Sequence, residues 1–131
     1  MPAGIEKGVK TMIKLVMCIR RKPSMSRAAF QDYWLNQHGP FFKANAEAMR
    51  ARKYVQSHTL ETPFNEGLRS SRGLQPDYDG VAEVWFDSEQ DLATAMATEE
   101  GARLTAALRE DENNFIDHAN SSAFLVREHE F

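Results

Sequence analysis

Four segments of strand-like apolar patterning, interrupted twice by segments of helical spacing, limit the folds open to this chain more than any other feature of it. The first runs from Met12 to Arg20 (MIKLVMCIR) and places Ile13, Leu15, Met17 and Ile19 on one face of a largely buried strand. The period then changes. Ser24 or Ser26 can cap a helix on which Phe30, Tyr33, Trp34 and Phe41 recur at helical spacing. Gly39-Pro40 is expected to interrupt that helix, because the residue before a proline is disfavoured in the α region. Pro40 can open a further turn, with Phe42, Ala46 and Met49 continuing the apolar stripe.

Tyr54 to Leu60 (YVQSHTL) alternates as a second strand, projecting Tyr54, Gln56, His58 and Leu60 together. Between Glu61 and Asp79, the residues Pro63, Gly67, Gly73 and Pro76, with several serines and arginines, favour a long loop, read here as a lid. Gly80 to Phe86 (GVAEVWF) is the third strand. Ser88 and then Thr98 can cap helical pieces that bury Leu92, Ala95, Met96, Leu104, Ala107 and Leu108. Ser122 to Val126 is the fourth strand.

The order β-α-β-β-α-β predicts an α+β domain of ferredoxin-like type: a four-stranded antiparallel sheet whose right-handed crossovers place both helices on one face. The other face still carries apolar residues such as Val81 and Trp85 and has to be covered. A homodimer packed face to face is the economical cover.

The 131 residues suit one domain, expected over 12–131 behind a flexible leader at 1–11. Hydrophobic residues at 42% and charged residues at 27% allow a core without metal or disulfide staples. A net charge of -3, with basic residues clustered only at Arg20-Arg21-Lys22 and Arg50-Ala51-Arg52-Lys53, argues against a nucleic-acid face. No apolar run approaches the ~18 residues of a membrane span. The single Cys18 suits a reducing compartment, so a cytoplasmic location is expected.

Candidate chemistry centres on two histidines. His38, four residues beyond Trp34, can project from the end of its helix into a cavity as acid, base or hydrogen-bond donor, or can cap the last carbonyls of that helix. His58 is in phase with Tyr54 and Gln56, so the three either line a pocket or face solvent. Trp34 and Phe41 are the aromatic candidates for a pocket wall. On the third strand Glu83 and Trp85 offer a pocket carboxylate and ring, or an exposed edge. The four histidines, His38, His58, His118 and His129, show no paired metal-ligand spacing. Neither a phosphate loop nor a nucleophile elbow is present, and no cofactor is expected. Asp79, Asp117 and His118 stand at loop–strand borders, where capping is the commoner role.

Phe30-Gln31-Asp32-Tyr33-Trp34 followed by His38-Gly39-Pro40, then Tyr54-Val55-Gln56-Ser57-His58 and the late Asp111, Phe115 and Asp117, together resemble the EthD domain family from Met12 onward. The resemblance implies a ferredoxin-like fold of the dimeric α/β barrel superfamily, with pockets between sheet and helices and with His38 and His58 as pocket acid/base candidates. It implies the fold more narrowly than the reaction, since similar folds serve lactone isomerases, polyketide cyclases, dehydratases, monooxygenases and haem-degrading enzymes.

Three functions are compatible with these residues. The first is a cofactor-independent enzyme acting on a small cyclic or aromatic metabolite, an isomerase, cyclase or dehydratase in which His38 and His58 move protons while Tyr54 or Gln56 orients a carbonyl. The second is an oxygen-dependent or accessory oxidoreductase in ether or aromatic degradation. The third is a carrier of a small hydrophobic ligand. Convergence of His38 and His58 on one cavity favours the first; a histidine outside it favours the third.

Overall fold

The computed structural model describes residues 12–131, so the leader expected over 1–11 lies outside the described residues. Strand β1 spans Ile13–Ile19, β2 Lys53–His58, β3 Gly80–Phe86 and β4 Ser122–Val126. They form one sheet in the order β2-β3-β1-β4, with every neighbouring pair antiparallel. This is the ferredoxin-like α+β arrangement. β1 and β2 run parallel on either side of β3, so the chain between them has to cross the sheet; β3 and β4 stand in the same relation about β1.

The first crossover is helical from Arg27 to Asn45. Helix α1 (Arg27–Tyr33) starts where the Ser26 hydroxyl accepts from the Ala29 N–H. A π-helical turn comes next at Trp34–His38, and helix α2 covers Gly39–Asn45. Gly39-Pro40 therefore does not interrupt the helix as expected. Gly39 stays helical at φ -58°, ψ -51° and donates to the Trp34 carbonyl, so the wider turn takes up the proline without a break. The extra residue rotates α2 by about 100° relative to a regular helix. Phe42, 7% exposed, thus takes the core position, and Phe41, 37% exposed, turns outward, which removes Phe41 from the pocket wall.

Helices α4 (Glu89–Ala97) and α5 (Glu99–Glu112) form the second crossover, capped by Ser88 and Thr98 through the N–H groups of Asp91 and Gly101. A short 3-10 turn, His118–Asn120, leads into β4. The segment Glu61 to Asp79 departs from the loop expectation, because Pro63–Arg72 forms helix α3. The Thr62 hydroxyl caps it, Pro63 stands in its first turn, and Gly73 closes it at φ +63°. None of its residues is buried, and Phe64 is 84% exposed.

The core lies between the sheet and the two crossovers. Trp34, Phe30, Phe115 and Ile19 are its most completely buried side chains. Each contributes roughly 1.5–3 kcal/mol relative to exposure. Gly80 makes room for the largest of them: a Cβ there would collide with the Trp34 ring.

Candidate active site

The cross-strand register sorts the candidate residues by face. Tyr54 and Leu15 stand opposite Val84, and Gln56 and Met17 opposite Ala82, so these share the helix-covered side of the sheet. Glu83 pairs across to Val16 and Val55, and Trp85 to Lys14 and Lys53, on the opposite side. Glu83 and Trp85 therefore do not line a pocket under the helices. Instead Glu83 binds Lys14 at 2.6 Å, and Trp85 lies between the ammonium groups of Lys14 and Lys53 while its Nε1–H donates to Glu128.

Beneath the helices is a cavity of about 280 Å³. Its floor is Leu15, Met17, Ala82, Val84 and Phe86, and its walls include Trp34, Phe42, Met49, Leu92 and Leu108. Polar lining comes from His38, Tyr54, Thr105, Arg109 and Glu112. Among the described residues Met96 and Arg109 are its only exposed lining side chains, which places the mouth beside α4 and α5.

His38 is 6% exposed and sits over Phe115 with ring centroids 5.1 Å apart. Its Nδ1 is 2.7 Å from Asp111 Oδ2. Asp111 also accepts from the Tyr33 hydroxyl at 2.6 Å and from Asn114 at 3.2 Å. Burial alone would raise the Asp111 carboxyl, but the donors Tyr33, His38 and Asn114 outweigh it and hold the group below its ordinary value. An ionised carboxylate only accepts, so Nδ1 carries a proton, and Nε2 is the ring nitrogen that holds the lone pair whenever the ring is neutral. Nε2 has no hydrogen bond among the described residues, and no fully buried side-chain nitrogen or oxygen among them lacks a partner. It therefore keeps accessible surface on a residue that lines the cavity. The π-helical turn positions the ring.

His58 lies elsewhere. It stacks on Trp34 with centroids 4.6 Å apart at 27° and borders a separate surface groove with Leu35, Pro40, Lys43 and Gln56. The expected convergence of His38 and His58 on one cavity is not found, because Trp34 occupies the space on the cavity side of His58. Burial holds the His58 ring below its ordinary pKa.

Gln56 links this outer group to the cavity wall. Its Nε2 donates to the Trp34 carbonyl at 2.9 Å and to the Tyr54 hydroxyl at 2.8 Å. The carbonyl can only accept, so the amide orientation is fixed and Oε1 faces His58 Nε2 at 2.8 Å. That nitrogen of His58 carries the proton. Tyr54, stacked on Phe42 at 4.3 Å, borders both the cavity and the groove. Burial pushes its phenol up, against the pull of Gln56 and Trp34, so it stays protonated and its hydroxyl can donate.

Sequence reasoning missed Asp111 as the partner of His38, because 73 residues separate them. No cluster of three or more His, Cys, Asp or Glu side chains suited to a metal ion occurs among the described residues.

The EthD domain model matches residues 22–119, a span that includes His38, Tyr54, Gln56, His58 and Asp111. The chain belongs to the EthD family. An EthD family protein from Bacillus halodurans superposes with a TM-score of 0.61 at 19% identity, covering 90% of this chain and 99% of that one. A dimeric protein of ferredoxin-like fold from Bacteroides fragilis gives 0.58 at 9% identity, covering 89% and 96%. SnoaB, a cofactor-independent oxygenase from Streptomyces nogalater, gives 0.53 at 12% identity, covering 92% and 96%. At these identities the EthD chain shares a fold with them. Comparison with curated proteins gives no match. No helix among the described residues is long and apolar enough to cross a membrane.

Proposed function

We propose that this EthD protein is a cofactor-independent enzyme that moves a proton on a small cyclic or aromatic carbonyl compound, with His38 as the base. The observation that carries the reading is His38 at the wall of a largely apolar cavity, with Asp111 bound to its Nδ1. With His58 outside, the two-histidine pair is gone; Asp111, bonded to His38 Nδ1, orients the remaining base and keeps the catalytic reading ahead of the carrier reading.

Nε2 of His38 removes a proton from carbon beside the substrate carbonyl, and Asp111 stabilises the imidazolium that forms. The Tyr54 hydroxyl donates to the carbonyl oxygen as it gains negative charge, with Gln56 fixing the phenol. His38 returns the proton to another atom of the same delocalised anion, giving isomerisation, or to a leaving hydroxyl, giving dehydration. Trp34, Phe42 and the three methionines Met17, Met49 and Met96 suit a ring-bearing substrate and adapt to its outline.

A second reading draws on the likeness to SnoaB. The same carbanion can reduce dioxygen directly, a CH₂ group becoming C=O while the second oxygen atom leaves as water. We further infer that two copies pair through the open sheet face, where Val16, Val55, Val81, Trp85 and Phe124 lie together. The dimeric relative from Bacteroides fragilis supports that reading.

Deuterium incorporation into β-tetralone in heavy water, monitored by mass spectrometry, tests the proton transfer. The wild-type protein accelerates exchange and His38→Gln abolishes the acceleration while binding persists. Equal exchange by both proteins, with binding retained, leaves a carrier.

A further inference from the structure

We infer that the cavity takes its ligand as an anion: a ring-bearing carboxylic acid whose apolar body fills the 280 Å³ space and whose carboxylate is held at the mouth by Arg109, with the Thr105 hydroxyl beside it. This rests on the reading of the cavity as the substrate site and adds the chemical class of what enters it.

Thr105 and Arg109 are one turn apart on α5, so they occupy the same helix face and both line the cavity. Among the described residues Arg109 is the only lysine or arginine that lines the cavity. It has no hydrogen bond or ion pair among the described residues, whereas Asp111 and Glu112 on the same helix are both engaged. Asp111 is engaged by Tyr33, His38 and Asn114. Glu112 accepts from His118 Nε2 at 3.0 Å, which engages the one carboxylate that lines the cavity. Glu112 keeps its negative charge, and the charged donor left without a partner at the mouth is the Arg109 guanidinium, whose planar fork suits a carboxylate. Apart from Thr105 and Arg109 the lining is apolar except for His38, Tyr54 and the carboxylate of Glu112, so an anionic group is disfavoured away from Arg109 and the ligand enters ring first. The competing structural role for Arg109 is to offset the negative end of α5, in whose last turn it lies.

Calorimetric titration of the full chain with 2-naphthoate and with its neutral analogue 2-naphthylmethanol separates these roles. Wild-type protein is expected to bind the acid at least about fivefold more tightly, the preference that one rim charge pair of about 1 kcal/mol supplies. Arg109→Gln, at an exposed position, is expected to remove that preference and to leave the affinity for the alcohol unchanged. Equal affinity for acid and alcohol, or a preference that survives Arg109→Gln, overturns the anionic class while the cavity still binds rings. If neither compound binds, the cavity reading itself fails and the inference fails with it.

Discussion

Gly39→Ala is expected to destabilise the protein, although helix propensity alone predicts the opposite. Gly39 has ordinary helical dihedrals, so a side chain there meets no backbone strain, and Gly→Ala in a helix interior usually stabilises by roughly 0.5–1 kcal/mol. Here a Cβ would stand 2.8 Å from Gln56 Nε2 and 3.2 Å from the Trp34 carbonyl oxygen. Gln56 is flexible and can withdraw, so the cost is that of its hydrogen bonds to Trp34 and Tyr54. At roughly 0.5–1.5 kcal/mol each, less the propensity gain, the net loss centres on about 1.2 kcal/mol and reaches about 2.5 kcal/mol at most. For 131 residues, 1 kcal/mol corresponds to about 3–4 °C, so the melting temperature falls by about 4 °C and by at most about 10 °C. Gly67→Ala is the control, since α3 leaves the space around Gly67 open and nothing lies within 4 Å of the added carbon. It should raise the melting temperature by about 2–4 °C. Calorimetric melts measure both. Proton NMR should show the His58 ring resonances moving in Gly39→Ala, because Gln56 no longer holds His58 against Trp34, while those of His38 stay in place. A Gly39→Ala protein that melts at or above the wild-type temperature refutes the reasoning.

The remaining ion pairs and histidines set further expectations. Asp79, 3% exposed, accepts from the Arg21 N–H and from the guanidinium groups of Arg21 and Arg27, so Asp79→Ala removes the carboxylate the two arginines share and leaves Arg27 with Glu61 and Arg21 with the Met25 carbonyl. Because Arg21 is partly in solvent, the cost is taken as about 2 kcal/mol, below that of a fully buried pair, and denaturant titration checks it. Burial tends to raise the Asp79 carboxyl, but those donors hold it below its ordinary 3.8; its contribution is present above that pH and is lost as pH falls through the lower folded value, which acid unfolding of wild type against Asp79→Asn reads. His58, lowered by burial from 6.5, leaves the folded protein with fewer bound protons than the unfolded chain below that pH, so stability declines on acidification there, and NMR titration should give a midpoint under 6.5. Asp111→Asn frees the His38 ring to take either tautomer; β-tetralone exchange should fall at least about tenfold while binding of β-tetralone changes little.

Strand positions and helix caps are legible because each rests on local signals: alternation in IKLVMCI and GVAEVWF, and the hydroxyls of Ser26, Ser88 and Thr98 before helical runs. Helix α3 escapes a reading by composition although Pro63 after Thr62 and Gly73 at the far end are start and stop marks; the same residues also compose loops, and no buried stripe distinguishes the two. Regular helical spacing favours Phe41 over Phe42, and the π-helical turn shifts the phase by one residue. Glu83 and Trp85 fall on the wrong face unless Val84 and Phe86, both buried, are used to fix the opposite parity of β3 as the covered one. The site itself divides along the same line. His38, Trp34 and Tyr54 are found from local pattern, whereas Asp111, Thr105 and Arg109 reach the cavity only through the fold of α5 over the sheet.

The most direct test of the central claim is a crystal structure of the protein with β-tetralone bound. The account predicts the ring in the cavity over Leu15 and Val84, its carbonyl oxygen within hydrogen-bond reach of the Tyr54 hydroxyl, and the carbon beside that carbonyl about 3–3.5 Å from His38 Nε2. A ligand found in the outer groove beside His58, or in the cavity with its carbonyl turned away from both Tyr54 and His38, would contradict it.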